Sequence, residues 1–197
     1  MKHERISLPI DTPRLVAAVT WPVVGWLFFL LIIQSLGLIQ LPEALQVLTN
    51  TPAWKIWAQI LSTWLFVGMG EEVLFRGYFL NAFWRHFTRE SDPQRMVKAV
   101  LWSSMFFSLW HLPIRVFWLV TGELDVVTLL LSLVVLFLLG IGYAYLFLRS
   151  DNILLAGLVH GLSDFPLIGK DTQMAPIILV VAIVCVEIAR ATMKRRA

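Results

Sequence analysis

Two apolar runs constrain this chain more than anything else in it. Residues 15–42 and 126–148 hold no Asp, Glu, Lys or Arg at all. Each is longer than the roughly 20 apolar residues that cross a bilayer. The whole chain of 197 residues is 58% hydrophobic and 15% charged, where a soluble domain carries about 25% charge. Lipid offers no water to backbone N–H and C=O groups, so such runs are expected as helices. None alternates apolar and polar residues as a membrane barrel strand does. The expected fold is an all-α, polytopic transmembrane bundle.

Hydropathy divides the chain into about six spans, near residues 15–39, 54–82, 99–120, 126–148, 152–168 and 175–191. Basic residues orient them. With the N-terminus in the cytoplasm, the inside segments collect Lys2, Arg5, Arg14, Arg85, Arg89, Arg95, Lys98, Arg149, Arg190, Lys194, Arg195 and Arg196, which is 12 of the 16 Lys and Arg. The outside keeps Lys55, Lys170 and Arg115. That bias predicts both termini in the cytoplasm. Residues 1–197 read as one domain, with a motif-bearing core near 53–168. The net charge of +3 comes from cations at span ends, so the expected partner is the lipid bilayer and not nucleic acid. Nine Trp suit headgroup-level anchoring. The first apolar run is too long for a cleavable leader. The single Cys185 permits no internal disulfide and no cysteine metal site. A multi-pass protein of a bacterial inner membrane is the expected location.

Ionisable groups within spans cost about 2.5 kcal/mol or more each, which marks them as functional candidates. Span two holds Glu71, Glu72 and Arg76; span three holds His111; span five holds His160 and Asp164. Glu187 lies near the basic end of its span and is set aside. Glu72 and Arg76 are four apart and can pair along one helix face, as can His160 and Asp164. Phe107, four before His111, can pack beside the imidazole. At 1.5 Å per residue, Glu71 lies roughly 17 Å from the cytoplasmic end of its span, His111 roughly 18 Å and His160 roughly 12 Å. Three helices thus bring Glu, His and His to similar depth.

Such a set suits hydrolysis. Glu71 could act as general base on a water. His111 and His160 could bind Zn2+ with Glu71 or a bound water, or hold the water directly. Asp164 could orient His160 or complete a ligand set. There is no His-Glu-x-x-His helix. Gly161-Leu162-Ser163 is followed by Asp164 and Phe165, so it is not a nucleophile elbow. A proton relay is a poorer fit, because the ionisable groups form a single layer.

At these residues the chain resembles the CPBP intramembrane protease family, also called the CAAX-protease and bacteriocin-processing or Abi family. Glu71, Glu72 and Arg76 match its Glu-Glu-x-x-x-Arg motif; Phe107 and His111 match Phe-x-x-x-His; His160 and Asp164 match His-x-x-x-Asn/Asp. The motif order agrees, as does a glycine-bearing span, residues 140–145, before the third motif. The resemblance implies an endopeptidase acting on a membrane-embedded or lipid-anchored peptide, by a metallo- or a glutamate-type mechanism. Glu71 would be the base, His111 and His160 would complete the site, and Asp164 would support the oxyanion or His160. Asp164 stands where the prenyl-protein branch usually has Asn, and that branch usually has more spans. Short bacterial relatives include peptide-processing and immunity proteins, so a non-catalytic immunity or assembly protein is the alternative.

Overall fold

The computed structural model describes residues 52–89, 93–164 and 175–194, and these form helices joined by short turns, with no strand among them. The first expected span and the end of the fifth lie outside the described residues. The chain forms two compact units: one of residues 1–72 and 146–197, the other of residues 73–145.

In the first unit, α1 (Ala53–Ile60) runs into a π-helical stretch, Leu61–Met69, and then the single turn α2 (Gly70–Glu72) that carries both glutamates. Helix α7 (Ile153–Asp164) packs on this stretch, backbone against backbone. A Cβ placed on Gly161 would lie 2.5 Å from the Cα of Trp64, and one on Gly68 would lie 2.6 Å from the Gly157 carbonyl oxygen. Only glycine permits that approach. Nine of the twelve residues of α7 are buried. Its start is fixed by Asn152, whose Oδ1 accepts the Leu155 N–H at 3.1 Å. Asp151 adopts φ 51°, turning the chain out of the preceding helix. Helix α8 (Ala175–Lys194) is tied in by Glu187, which takes both a 2.5 Å and a 2.7 Å hydrogen bond from Arg149.

The second unit starts with another π-helical stretch, Val73–Phe79, followed by α3 (Leu80–Arg89), α4 (Arg95–Trp110), α5 (Leu112–Val120) and most of α6 (Val126–Ser150). π turns bond five residues back instead of four, which leaves carbonyls to be satisfied elsewhere. Asn81 Nδ2 donates to the carbonyls of Arg76 and Gly77 at 3.2 and 2.7 Å, and Ser103 Oγ donates to that of Phe75 at 2.7 Å. Ser108 Oγ similarly caps the Leu133 carbonyl at 2.7 Å.

The expected third span is not one helix. It breaks at His111 (φ −83°, ψ −8°), which ends α4 and starts α5. Pro113 is the physical reason. It has no N–H to give, and its ring clashes with the carbonyl four residues back, that of Leu109. Among the described residues, one helix, Val126–Ser150, is long and apolar enough to cross a membrane; its hydropathy is 2.6 and 17% of its most apolar window is buried.

Candidate active site

Three motifs single out six residues, and the structure distributes them between the two units. Glu71, Glu72, His160 and Asp164 belong to the first, Arg76 and His111 to the second.

In the first unit the close seat of α7 on Leu61–Met69 presents His160 to the turn that holds the glutamates. Its ring is 3% exposed. Nδ1 lies 2.9 Å from Oε1 of Glu72, which is itself fully buried. An imidazole nitrogen facing a carboxylate donates, so Glu72 fixes both the tautomer and the orientation of the ring. The opposite nitrogen, Nε2, lies 3.5 Å from Asp164 Oδ2, one turn along α7, and 3.8 Å from Glu71 Oε2. Both separations exceed a direct hydrogen bond and match ion-pair or water-bridged contact. Glu71 is 15% exposed and Asp164 40%. The imidazole therefore has one face locked in the interior and the other turned to two more accessible carboxylates.

In the second unit Arg76 is the largest fully buried side chain, 1% exposed. One terminal nitrogen donates to the Gly140 carbonyl at 2.9 Å. The guanidinium carbon lies 4.7 Å over the Phe107 ring and 5.5 Å over that of Tyr143. This is a desolvated cation held by π faces and a carbonyl. Phe107 also packs edge-on against His111, with ring centroids 4.9 Å apart. His111 Nδ1 sits 2.9 Å from the Phe107 carbonyl. A carbonyl only accepts, so Nδ1–H donates and Nε2 is the lone-pair nitrogen of the neutral ring.

Spacing alone suggested Glu72 as a partner for Arg76. Beyond that spacing, the structure sets Glu72 as the acceptor for His160 and Arg76 as a donor to the Gly140 carbonyl. The Gly140 acceptor left no signal, since a backbone carbonyl is the same at every position. The break at His111 did leave one, in Pro113. Among the described residues, no group of three or more His, Cys, Asp and Glu is arranged to hold a metal ion.

No curated protein and no solved structure matches the chain. A family model, type II CAAX prenyl endopeptidase Rce1-like, matches residues 52–166, a stretch that contains every one of the six motif residues. That match covers more than half of the sequence, and the chain therefore belongs to the Rce1-like family of type II CAAX prenyl endopeptidases, membrane-embedded proteases.

Proposed function

We propose that this protein hydrolyses a peptide bond of a lipid-anchored or membrane-embedded substrate, with Glu71 as the base that activates water. The observation that carries this reading is the environment of His160. Its Nδ1 is fixed by Glu72 at 2.9 Å, and its Nε2 faces Glu71 at 3.8 Å, a gap that a water bridging the two groups would fill. Glu71 would take a proton from that water as it attacks the scissile carbonyl and pass it to the leaving amine. His160, held in register by Glu72, would position the water. Asp164 would hold the exposed side of the same ring. His111, singled out by the same motif set, would offer the Nε2 lone pair of its ring as an acceptor, its Nδ1–H being taken by the Phe107 carbonyl. Arg76 serves by fixing the packing of Phe107, and through it the His111 carbonyl contact.

In the competing form of the same reaction, His111, His160 and Glu71 would hold a zinc ion that supplies the Lewis acid. Six spans with both termini in the cytoplasm of a bacterial inner membrane are supported by the placement of 12 of the 16 Lys and Arg. The substrate class is supported by the family, whose name points to a prenylated C-terminal motif.

The test is Glu71→Gln. The variant should insert and purify like wild type and lose cleavage of an S-prenylated reporter peptide by about 100-fold or more, within the usual reach of general-base catalysis. Wild-type turnover in that variant would sink the assignment. Preserved biological activity without any peptide cleavage would favour a non-catalytic immunity protein.

A further inference from the structure

Within the second unit, α4 meets α3 and the π-helical stretch before it through aromatic rings. Phe75, Phe79 and Phe83, each four residues on from the last, face Trp110, Phe106 and Trp102, with ring centroids 6.3, 5.3 and 6.1 Å apart. One side steps forward by four as the other steps back by four, which is the register of an antiparallel helix pair. The next rung is different. Phe87 meets Lys98 instead of a ring, with Nζ 5.9 Å from the ring centroid. Arg95, three residues before Lys98, falls on the same face of α4.

The α4 side of this ladder is open: Trp102, Phe106 and Trp110 are exposed, as is Arg95. From Lys98 to Trp110 the stripe rises about 18 Å at 1.5 Å per residue, close to the roughly 15 Å of hydrocarbon in one leaflet. An apolar ribbon one leaflet long, with two cations at one end, has the outline of a phospholipid with an anionic head. Those cations are held against local preference. Arg95 and Lys98 occupy the first turn of α4, which has no acidic residue, and the N-cap Gln94 makes no side-chain cap bond. Cations are the disfavoured sign at a helix N-terminus. Residues 85–98 carry Arg85, Arg89, Arg95 and Lys98 against Glu90 and Asp92, so the segment is net positive. A lysine lying on a phenylalanine keeps its stem on apolar surface and its ammonium at headgroup level.

We propose that this face binds an anionic glycerophospholipid, with its phosphate on Lys98 and Arg95 and an acyl chain along Trp102, Phe106 and Trp110. On the orientation proposed above, the cationic end lies at the cytoplasmic leaflet. The inference uses that orientation and none of the protease chemistry. Its test reads no cleavage, and binding in detergent needs no particular topology, so its failure is distinguishable from the failure of either reading.

The experiment uses the full-length protein in detergent. Its probes are dioleoyl phosphatidylglycerol, dioleoyl phosphatidylcholine, sodium phosphate and a soluble polyglutamate peptide. Phosphatidylglycerol should raise Tm saturably, and the other three should not at the same concentration. Arg95→Gln/Lys98→Gln should need about 30-fold more phosphatidylglycerol for the same shift, the effect of two cations at an anionic lipid surface. Arg95→Lys/Lys98→Arg should titrate as wild type does. Each shift is read against the variant's own lipid-free Tm, so a general loss of stability cancels. Lys55→Gln, which removes an exposed cation of α1, controls for net charge and should leave the titration unchanged. Phosphatidylglycerol brominated along its acyl chains should quench tryptophan fluorescence more than the brominated choline lipid, and Trp102→Phe/Trp110→Phe should remove that excess.

Equal shifts from the two lipids overturn the proposal and leave ordinary boundary lipid. A shift reproduced by phosphate or by the peptide overturns it in favour of a free-anion site or a protein-docking face. So does a titration that Arg95→Gln/Lys98→Gln leaves unchanged, or that Lys55→Gln weakens as much. Excess quenching that persists without Trp102 and Trp110 overturns it too, since the acyl chain then lies elsewhere.

Discussion

Adding one methyl group at Gly161 should disable the site by displacing the helix that carries His160. A Cβ there meets the Trp64 Cα at 2.5 Å, whereas real Cβ contacts essentially never fall below 3.0 Å and seldom below 3.4 Å. The obstacle is backbone, so no rotamer relieves it. Helix α7 must move off the π-helical stretch by about 0.5–0.9 Å, the difference between those figures. His160 precedes Gly161 and moves with it. Its 2.9 Å contact with Glu72 then stretches past hydrogen-bond length. Overpacking of this kind costs about 1–3 kcal/mol in stability, and a misplacement near 1 Å in a catalytic group costs about 100-fold in rate. Gly161→Ala should therefore show a lower Tm in detergent and a kcat reduced by about two orders of magnitude, with KM less affected. Gly70→Ala is the matched control. Nothing lies within 4 Å of a Cβ there, and alanine favours the helix by about 1 kcal/mol over glycine, so its Tm should hold or rise. If Gly161→Ala keeps wild-type Tm and kcat, the packing account of His160 is wrong.

Arg76→Ala should lower both folded yield and activity, since it removes the buried hydrogen bond to the Gly140 carbonyl and the cation packed on Phe107 and Tyr143; a loss of about 2–4 kcal/mol in denaturant or thermal unfolding is expected from a buried charged hydrogen bond and the cavity left behind. Peptide cleavage should survive o-phenanthroline, and loss of activity that added zinc restores would replace the metal-free scheme. At the entry to α6, the Asp125 carboxylate caps Thr128 N–H at 2.7 Å, and that bond holds its pKa below the ordinary aspartate value. A depressed carboxylate contributes stability above its unfolded pKa of about 3.9 and loses it as pH falls through the folded value. Asp125→Ala should thus lower Tm at neutral pH and flatten the fall in Tm below about pH 4; parallel curves would refute the cap.

Intramembrane ionisable residues were legible from sequence because lipid makes them expensive, and a residue retained at that cost has a use. Glu71, His111 and His160 stood out on those grounds before any coordinates. Residue pairing was less legible. Helical spacing reaches only i and i+4 neighbours, such as Arg76 from Glu72, and gives no sign of the Glu72 contact with His160, 88 residues away. The seat of α7 was half visible: Gly157 and Gly161 form a Gly-x-x-x-Gly pair, a known device for close helix contact in membranes. The widened turns at Leu61–Met69 and Val73–Phe79 follow no local spacing rule, and in the second the freed carbonyls are taken up by side chains from elsewhere, Ser103 and Asn81.

The contrast between α6 and α7 bears on how this protein can diverge. Lipid measures only hydrophobicity, so most of α6, with 17% of its most apolar window buried, can drift among Leu, Ile, Val and Phe at little cost. Helix α7 is read by shape, being buried at nine of twelve positions, and a single methylene there disturbs its fit. Neutral change should therefore accumulate along one helix and be purged from the other.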